Sequence, residues 1–452
     1  MSSVKYNNKT DKYYPYLIKN VDGSYYFYNI TTNAIFLMDD QAYSILVEEQ
    51  NPEEDVYADT INFLKDNFIL ATPENDNKLE EIYSQVVKKK KSLNATGLTL
   101  MICQECNLRC KYCYGKDGEY SNRGKMDFSI AKKAIDYFVD QAPSDTLSIC
   151  FFGGEPLLNF GLMKKVVSYV REVEKKTNKK FTFSITTNAT LIDETIKAFI
   201  EENKISMTVS IDGAREMNDA NRFYANKNGT YNDVKKNMSG IKASMIARAT
   251  IAPPNLDVSN SVTHLAEEFG FRSVAWAEAD NLLSDEDYKV VKKSMLELID
   301  KLECLVKEEQ YELVKKYHSF INMLRKFDSD GIRSKGCGAG SNLMAVDIDG
   351  KIYPCHRFVG VEKFVVGDVT VGNKGNTDFY SVIDLVNFEK CQACIAKSIC
   401  SGGCINENYC STESINEPSE KHCKYIVEIV DRMLEVYIRL DEASKKQLFG
   451  KK

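Results

Sequence analysis

The chain has 452 residues, 43% hydrophobic and 27% charged, an ordinary globular composition with room for two or three domains. Its net charge of -6 argues against binding a nucleic-acid backbone by bulk electrostatics, which needs a basic face. No run approaches the roughly 18 apolar residues that span a bilayer, and the polar start MSSVKYNNKTDK lacks the apolar middle of a signal peptide. Neither nucleic acid nor membrane is therefore an expected partner, and a cytoplasmic location is expected. In a reducing compartment the 14 cysteines read as metal ligands or redox groups rather than disulfides. With only His264, His318, His356 and His422, and no HExxH, zinc hydrolase chemistry built on imidazole is poorly supplied.

Residues 1–75 read as a small unit. Aromatic-rich runs around Tyr25 to Tyr28 and Ala34 to Leu37 flank the polar TTN and predict a hairpin. Asp40 is the expected cap of a helix carrying Tyr43, Leu46 and Val47 on one face, followed by a second helix over about Glu53 to Lys65 and a short strand NFIL. A connector follows over 76–96, helical or extended, whose KKKK at 88–91 is read as a solvated linker or helix end. Over 97–283 the pattern alternates. The apolar runs GLTLMI, TLSICFF, FTFSITT, ISMTVSI, SMIARATI and RSVAW are separated by helical stretches such as DFSIAKKAIDYFVDQA and IDETIKAFIEEN. Six such units predict an α/β fold, a partial (β/α)6 barrel of parallel strands short of a full eight. A charged helical bridge is expected over 284–330, a turn-rich, cysteine-rich region over 331–425, and a closing C-terminal helix over 426–452, carried by the amphipathic stretch KYIVEIVDRMLEVYIRL that starts at Lys424.

CNLRCKYC, residues 106–113, begins just after the first strand of the alternating region, where parallel strand-helix architectures carry their functional groups. Closed structural zinc sites normally have four protein ligands, so three thiolates from one loop suit an iron-sulfur cluster with one iron open to a small molecule. Tyr114 follows the last cysteine, and the second strand ends in GGEP, Gly153 to Pro156.

Over residues 97 to about 280 the chain resembles the radical S-adenosylmethionine (SAM) family. The resemblance implies that Cys106, Cys110 and Cys113 bind a [4Fe-4S] cluster whose unique iron is chelated by SAM, and that these are the catalytic cysteines. It further implies that Gly153, Gly154 and Glu155 meet the methionine amino group, where glycines allow close approach. Tyr112 is expected beside the cofactor. TTN (186–188) ends the third strand, SIDG (210–213) the fourth, and Arg248 with Thr250 lies on the fifth. By the same resemblance Asn188 and Ser210 face the SAM ribose or methionine, and Arg222 or Arg248 pairs its carboxylate. Residues of these types after strands are also ordinary turn formers.

The C-terminal cysteines are spaced Cys337, x12, Gly350, x4, Cys355, then Cys391, Cys394, Cys400 and Cys404 as CxxC, x5, C, x3, C, with Cys423 last. This resembles the SPASM domain, which carries two auxiliary [4Fe-4S] clusters and brings the expected total to three. The resemblance assigns Cys391, Cys394, Cys400 and Cys423 to the distal cluster and Cys337, Cys355 and Cys404 to the nearer one. The nearer cluster is then one ligand short: GIRSKG provides no cysteine, and Cys410 is either the fourth ligand or a free thiol. Cys150 and Cys304 are expected as small core residues and Cys103 as a bystander.

These resemblances imply a 5'-deoxyadenosyl radical that abstracts an unactivated hydrogen, supplied with electrons by a reductant such as flavodoxin or ferredoxin. Sulfatase maturases carry an Asp base immediately after the cysteine matching Cys355, where this chain has His356. The N-terminal unit resembles the winged-helix-like element that binds leader peptides at a sheet edge. The expected activity is thioether formation in a Cys-containing, ribosomally made precursor peptide, as in sactipeptide and ranthipeptide synthases. Carbon-carbon crosslinking, a sulfatase-maturase-like dehydrogenation and, as a different class, a zinc-stabilised peptide-binding scaffold are the alternatives.

Overall fold

The computed structural model describes residues 5–7, 12–48, 57–88, 95–329, 331–371, 373–374 and 379–450. Strands β1 (Lys5–Asn7), β2 (Tyr16–Val21), β3 (Ser24–Asn29) and β4 (Ile35–Leu37) form an antiparallel sheet in that order. The β2–β3 turn is Asp22-Gly23, both with positive φ (53° and 90°), the backbone that matches the twist of two flanking strands. The predicted β3–β4 hairpin is present. On β2 the side chains alternate: Tyr16 and Ile18 pack with Phe27, Ile45 and Leu64 in a local core, and Leu17 joins the main core.

Helix α1 (Asp40–Leu46) is capped by Asp39, whose side chain accepts from the Ala42 N–H, rather than by Asp40. Helix α2 (Ala58–Asp66) begins later than expected, and residues 53–56 lie outside the described residues. NFIL is not a strand: the chain folds back on Leu64 O, and only Leu70 forms an isolated bridge, to Tyr13. The connector is helical, α3 (Pro73–Lys88), and lysines 89–91 lie outside the described residues.

Each of the six predicted apolar runs is a strand. In chain order they are β5 (Gly97–Gln104), followed by the short β6 (Gly124–Lys125) and α4 (Phe128–Gln141); β7 (Thr146–Gly153) and α5 (Phe160–Lys176); β8 (Lys180–Thr187) and α6 (Glu194–Glu202). Then come β9 (Ser206–Ser210) with α7 (Arg215–Asn221) and α8 (Tyr231–Met238); β10 (Met245–Ile251) and α9 (Val258–Glu268); and β11 (Ser273–Glu278). They pair in parallel in the order β11-β10-β9-β8-β7-β5. On β8 alternating residues, Phe181, Phe183 and Ile185, are core, whereas the central β5 is buried along its whole length.

The bridge comprises α10 (Asp285–Lys307), started by a reciprocal Ser284–Asp287 capping box, α11 (Tyr311–Val314) and α12 (His318–Phe327). The cysteine-rich region then rejoins the sheet. Strand β12 (Leu343–Val346) pairs in parallel with β5, and β13 (Lys351–Tyr353), β14 (Gly367–Asp368) and β15 (Asn373–Lys374) continue antiparallel. Helices α13 (Phe379–Val382), α14 (Lys397–Cys400) and α15 (Ile405–Thr412) precede the long α16 (Glu420–Arg439) and α17 (Glu442–Phe449). The apolar face of α16, including Ile429, Met433 and Leu434, is buried, and its outer face pairs with α10 through Lys292–Glu428 and Arg432–Asp300.

Lys19 of β2 is 1% exposed and pairs with Asp431 (2.6 Å) and Glu435 (2.8 Å) of α16, tying the N-terminal sheet to the C-terminal helix. Among the described residues no helix is long and apolar enough to cross a membrane.

Candidate functional site

The loop after β5 carries Cys106, Cys110 and Cys113. It is held from beneath by the Arg109 N–H on Phe223 O (2.8 Å) and the Lys111 N–H on Asn221 O (3.1 Å). Beside it, the end of β7 continues as a backbone ladder: Gly154 N–H donates to Cys103 O and Glu155 N–H to Glu105 O, each at 2.8 Å. This approach demands glycine. Gly153 has φ of 144°, and a Cβ there would stand 2.0 Å from Cys103 O; a Cβ on Gly154 would stand 2.3 Å from Glu105 O.

Glu155 is fully buried and joins two strand ends. Its carboxylate accepts from the Leu157 N–H (3.0 Å), the Thr187 hydroxyl (2.8 Å) and the Asn188 N–H (2.8 Å). Burial pushes its pKa up to about 6 against these donors. Asn188 in turn donates to Asn107 Oδ1 (2.9 Å) and approaches Cys106 Sγ (4.0 Å). Across the loop, the Tyr112 hydroxyl donates to Asp212 Oδ2 (2.5 Å) and accepts from Arg222 Nη1 (2.6 Å).

These groups surround a cavity of about 400 Å³ at the C-terminal ends of the parallel strands. Cys106, Cys110, Cys113, Tyr112, Gly153, Gly154, Asn188, Ser210, Arg222 and Arg248 all line it, while Glu155 lies behind the wall. The opposite wall comes from Glu278 at the end of β11 and from the cysteine-rich region: His356, Arg357 and Glu407. The His356 ring packs on Phe152 (4.4 Å between centroids), and burial pulls its pKa down to about 4, so the imidazole is neutral. Arg357 pairs with Glu407, lies 4.8 Å over the Tyr114 ring and donates to Cys404 Sγ at 3.7 Å.

The C-terminal cysteines fall into two neighbourhoods. Cys355 has Cys404 and Cys337 as electrostatic neighbours, whereas Cys391 has Cys400, Cys394 and Cys423. A turn of three consecutive positive-φ residues, Ser401, Gly402 and Gly403, separates Cys400 from Cys404. Gly336 packs against it so closely that a Cβ would stand 2.4 Å from Ser401 O, which brings Cys337 to the Cys404 side. Cys410 is exposed on α15, with Glu407, Arg357 and Cys404 as charged neighbours. Cys103 is buried and Cys150 half-buried, but Cys304 is exposed on α10 and not a core residue. Its spacing in the helix places it off the buried stripe formed by Leu298, Ile299 and Leu302.

Burial first, then neighbouring thiols, push Cys355, Cys391 and Cys400 each up to about 12, and burial followed by Glu155 and then Cys110 and Cys113 does the same for Cys106. Such thiols ionise only when a cation joins them. Among the described residues no three His, Cys, Asp or Glu side chains are placed to hold a metal ion. Thiol-only sets beside an open cavity nonetheless match the donor chemistry of iron-sulfur clusters. Sequence reasoning missed Asp212, Glu278, Arg357 and Glu407 as cavity or network residues. Asp212 stood inside the quoted SIDG, and Arg357 and Glu407 stand two and three residues after Cys355 and Cys404, where proximity to a ligand was the available signal.

Residues 100–256 match the Radical SAM superfamily model. An uncharacterized protein of Methanocaldococcus jannaschii is 34% identical over 284 residues, covering 61% of this chain and 90% of the relative. A cysteine-type anaerobic sulfatase-maturating enzyme of Clostridium novyi is 24% identical over 341 residues, covering 66% and 84%. The fold is shared with native anSMEcpe with bound AdoMet and Cp18Cys peptide, at a TM-score of 0.63 and 22% identity over 76% of this chain and 100% of that one. The family implies a [4Fe-4S] cluster and SAM, which the three-thiol loop and its glycine-lined wall fit. The chain therefore belongs to the radical SAM superfamily, as an enzyme related to the sulfatase maturases.

Proposed function

We propose that the protein installs thioether crosslinks, cysteine sulfur to carbon, in a ribosomally made precursor peptide. The observation that carries this reading is the shared wall: Arg357, which touches Cys404, lines the cavity that receives the Cys106 loop. A peptide held there lies between two thiol sets. Cys106, Cys110 and Cys113 hold the SAM-binding cluster; Cys337, Cys355 and Cys404 hold the nearer auxiliary cluster with one position for a substrate thiolate; Cys391, Cys394, Cys400 and Cys423 hold the distal one.

When bound, these groups supply a 5'-deoxyadenosyl radical that takes one hydrogen atom and an acceptor for one electron, while the thiol proton leaves, so that C–H and S–H become C–S. The chain's own residues do the positioning. Gly153 and Gly154 bring backbone against the methionine end of SAM, Asn188 and Ser210 face it from adjacent strand ends, and Arg222 meets its carboxylate beside Tyr112. His356, neutral and packed on Phe152, offers an uncharged ring within the otherwise charged wall and supplies no carboxylate base of the sulfatase-maturase kind. The N-terminal sheet takes the leader of the peptide along an edge strand.

Anaerobically reconstituted enzyme is expected to carry about 12 iron with matching sulfide, and to convert its peptide with loss of two hydrogens and one alkylatable thiol per linkage. Loss of two hydrogens with the thiol retained means a carbon-carbon bond. Zinc without sulfide overturns the radical mechanism.

A further inference from the structure

The two arginines of the cavity are held in opposite ways. Arg222 is buried, donates to the Tyr112 hydroxyl, and has Cys110 and Asp212 as its charged neighbours on the radical-loop side. Arg248, from the middle of β10 and in register with Ser210 of β9, projects into the open cavity, where its side chain is accessible although protein encloses it. Its one hydrogen bond is a 3.4 Å contact to Trp276 O. Its electrostatic neighbours are Glu278, then Arg357 and Cys404 of the cysteine-rich region, and then Tyr114, which follows Cys113 on the radical loop.

Neither nearby carboxylate pairs with it. Glu278 accepts from the Tyr425 hydroxyl at 2.8 Å, Glu407 is taken by Arg357, and among the described residues no carboxylate comes within ion-pair distance of Arg248. An accessible guanidinium that lines a cavity and has no ion-pair partner there is open to an anion, because its planar fork matches a carboxylate. On the proposed reading Arg222, beside the Cys110 loop, would take the carboxylate of SAM, which would leave Arg248 to receive a second anion.

We propose that Arg248 is the substrate anchor of this enzyme: it receives a carboxylate of the peptide, from an acidic side chain or the C-terminus, and so fixes the target carbon between the radical loop and Cys404. This rests on the reading of the cavity as a peptide-modifying site. Arg248 is thereby a specificity-determining residue, distinct from the SAM-binding set.

The test uses reconstituted holoenzyme with SAM and a pool of synthetic Cys-containing peptides with randomised flanks, made with free or amidated C-termini. Bound peptides are sequenced, and SAM affinity is measured separately by calorimetry. The parent enzyme is expected to enrich Asp and Glu over Asn and Gln, or free termini over amides, by about tenfold, and whichever arm is enriched names the source of the carboxylate. R248Q is expected to lose that preference with SAM affinity changed less than about twofold, R248K to keep part of it, and R222Q to lose SAM affinity instead. Peptides captured without any acidic preference overturn the anchor and leave the peptide-modifying reading intact, as does an R248Q enzyme that loses SAM binding and keeps the preference. Capture of no peptide by the parent enzyme overturns both.

Discussion

The thiol neighbourhood that lines the cavity and the one that stands behind its opposite wall are built in different ways. The loop after β5 is a product of regular structure: a parallel strand ends, glycines at the end of the next strand pack backbone on backbone, and buried Glu155 knots two strand ends together. The Cys337, Cys355 and Cys404 neighbourhood comes from three separate stretches of irregular chain, joined by a left-handed turn and a charged pair, Arg357–Glu407. Rigidity on one side comes from the ladder, and on the other from packing and charge. The first side is therefore fixed by main-chain hydrogen bonds, and the second depends on side-chain contacts.

The sharpest way to break this comparison is to remove one thiol from each side. C106A is expected to abolish SAM cleavage and lower iron by about four per chain, measured by nucleoside release and metal analysis. C404A is expected to leave nucleoside release in place while crosslinked product per nucleoside falls at least about tenfold. If both variants behave alike, the two sides do not have separate roles.

Backbone closeness is tested next by G154A. The added methyl meets Glu105 O at 2.3 Å and Gly118 O at 2.7 Å, both fixed main-chain atoms, so a loss of about 2 kcal/mol in urea unfolding and weaker SAM binding are expected. Glu155 gives a pH signature of comparable size. Its carboxyl is raised from 4.5 to about 6, so the native state holds the proton more tightly than the unfolded chain. That stabilisation is full below about pH 4.5 and is lost as pH rises through about 6, a change on the order of 2 kcal/mol. E155Q is expected to remove this slope between pH 5 and pH 7, yet to be less stable at both, because its amide nitrogen meets a hydrogen-bond donor, the Asn188 N–H or the Leu157 N–H and Thr187 hydroxyl, instead of an acceptor. The smallest effect is expected for K19M. Asp431 is partly exposed, and Glu435 has Arg432 and Arg439 nearby, so the change costs about 1 kcal/mol by thermal unfolding.

The same contrast explains what could be read from the amino acids. The six parallel strands and the cysteine spacings were readable because periodicity and ligand spacing are local properties of the chain. Strand β12 was not: four apolar residues in a turn-rich stretch carry no period, and their partner, β5, lies more than two hundred residues earlier. Asp22-Gly23 was a local hairpin signal that went unused, and with it β2. In the site, every proposed SAM-side residue except Glu155 reaches the cavity. The charged wall of Glu278, Arg357 and Glu407 was hidden because its members meet only after the cysteine-rich region joins the sheet. Composition marks a residue as charged and does not say which cavity it will enter.

The pairing of β12 with β5 has one more consequence. Cys106 lies two residues beyond the end of β5, and Cys355 two residues beyond β13, the antiparallel neighbour of β12. Both thiol loops are therefore anchored to one hydrogen-bonded sheet, but β13 runs opposite to β5 and Tyr353 stands level with Thr99 through Ala345, so the loops leave the sheet in opposite directions and the irregular chain after Cys355 carries His356 back to the cavity. Phe152 and His356 pack on each other and line the cavity, so they bridge the parallel sheet and the cysteine-rich region, and trimming either side chain is the natural way to widen the space offered to a substrate.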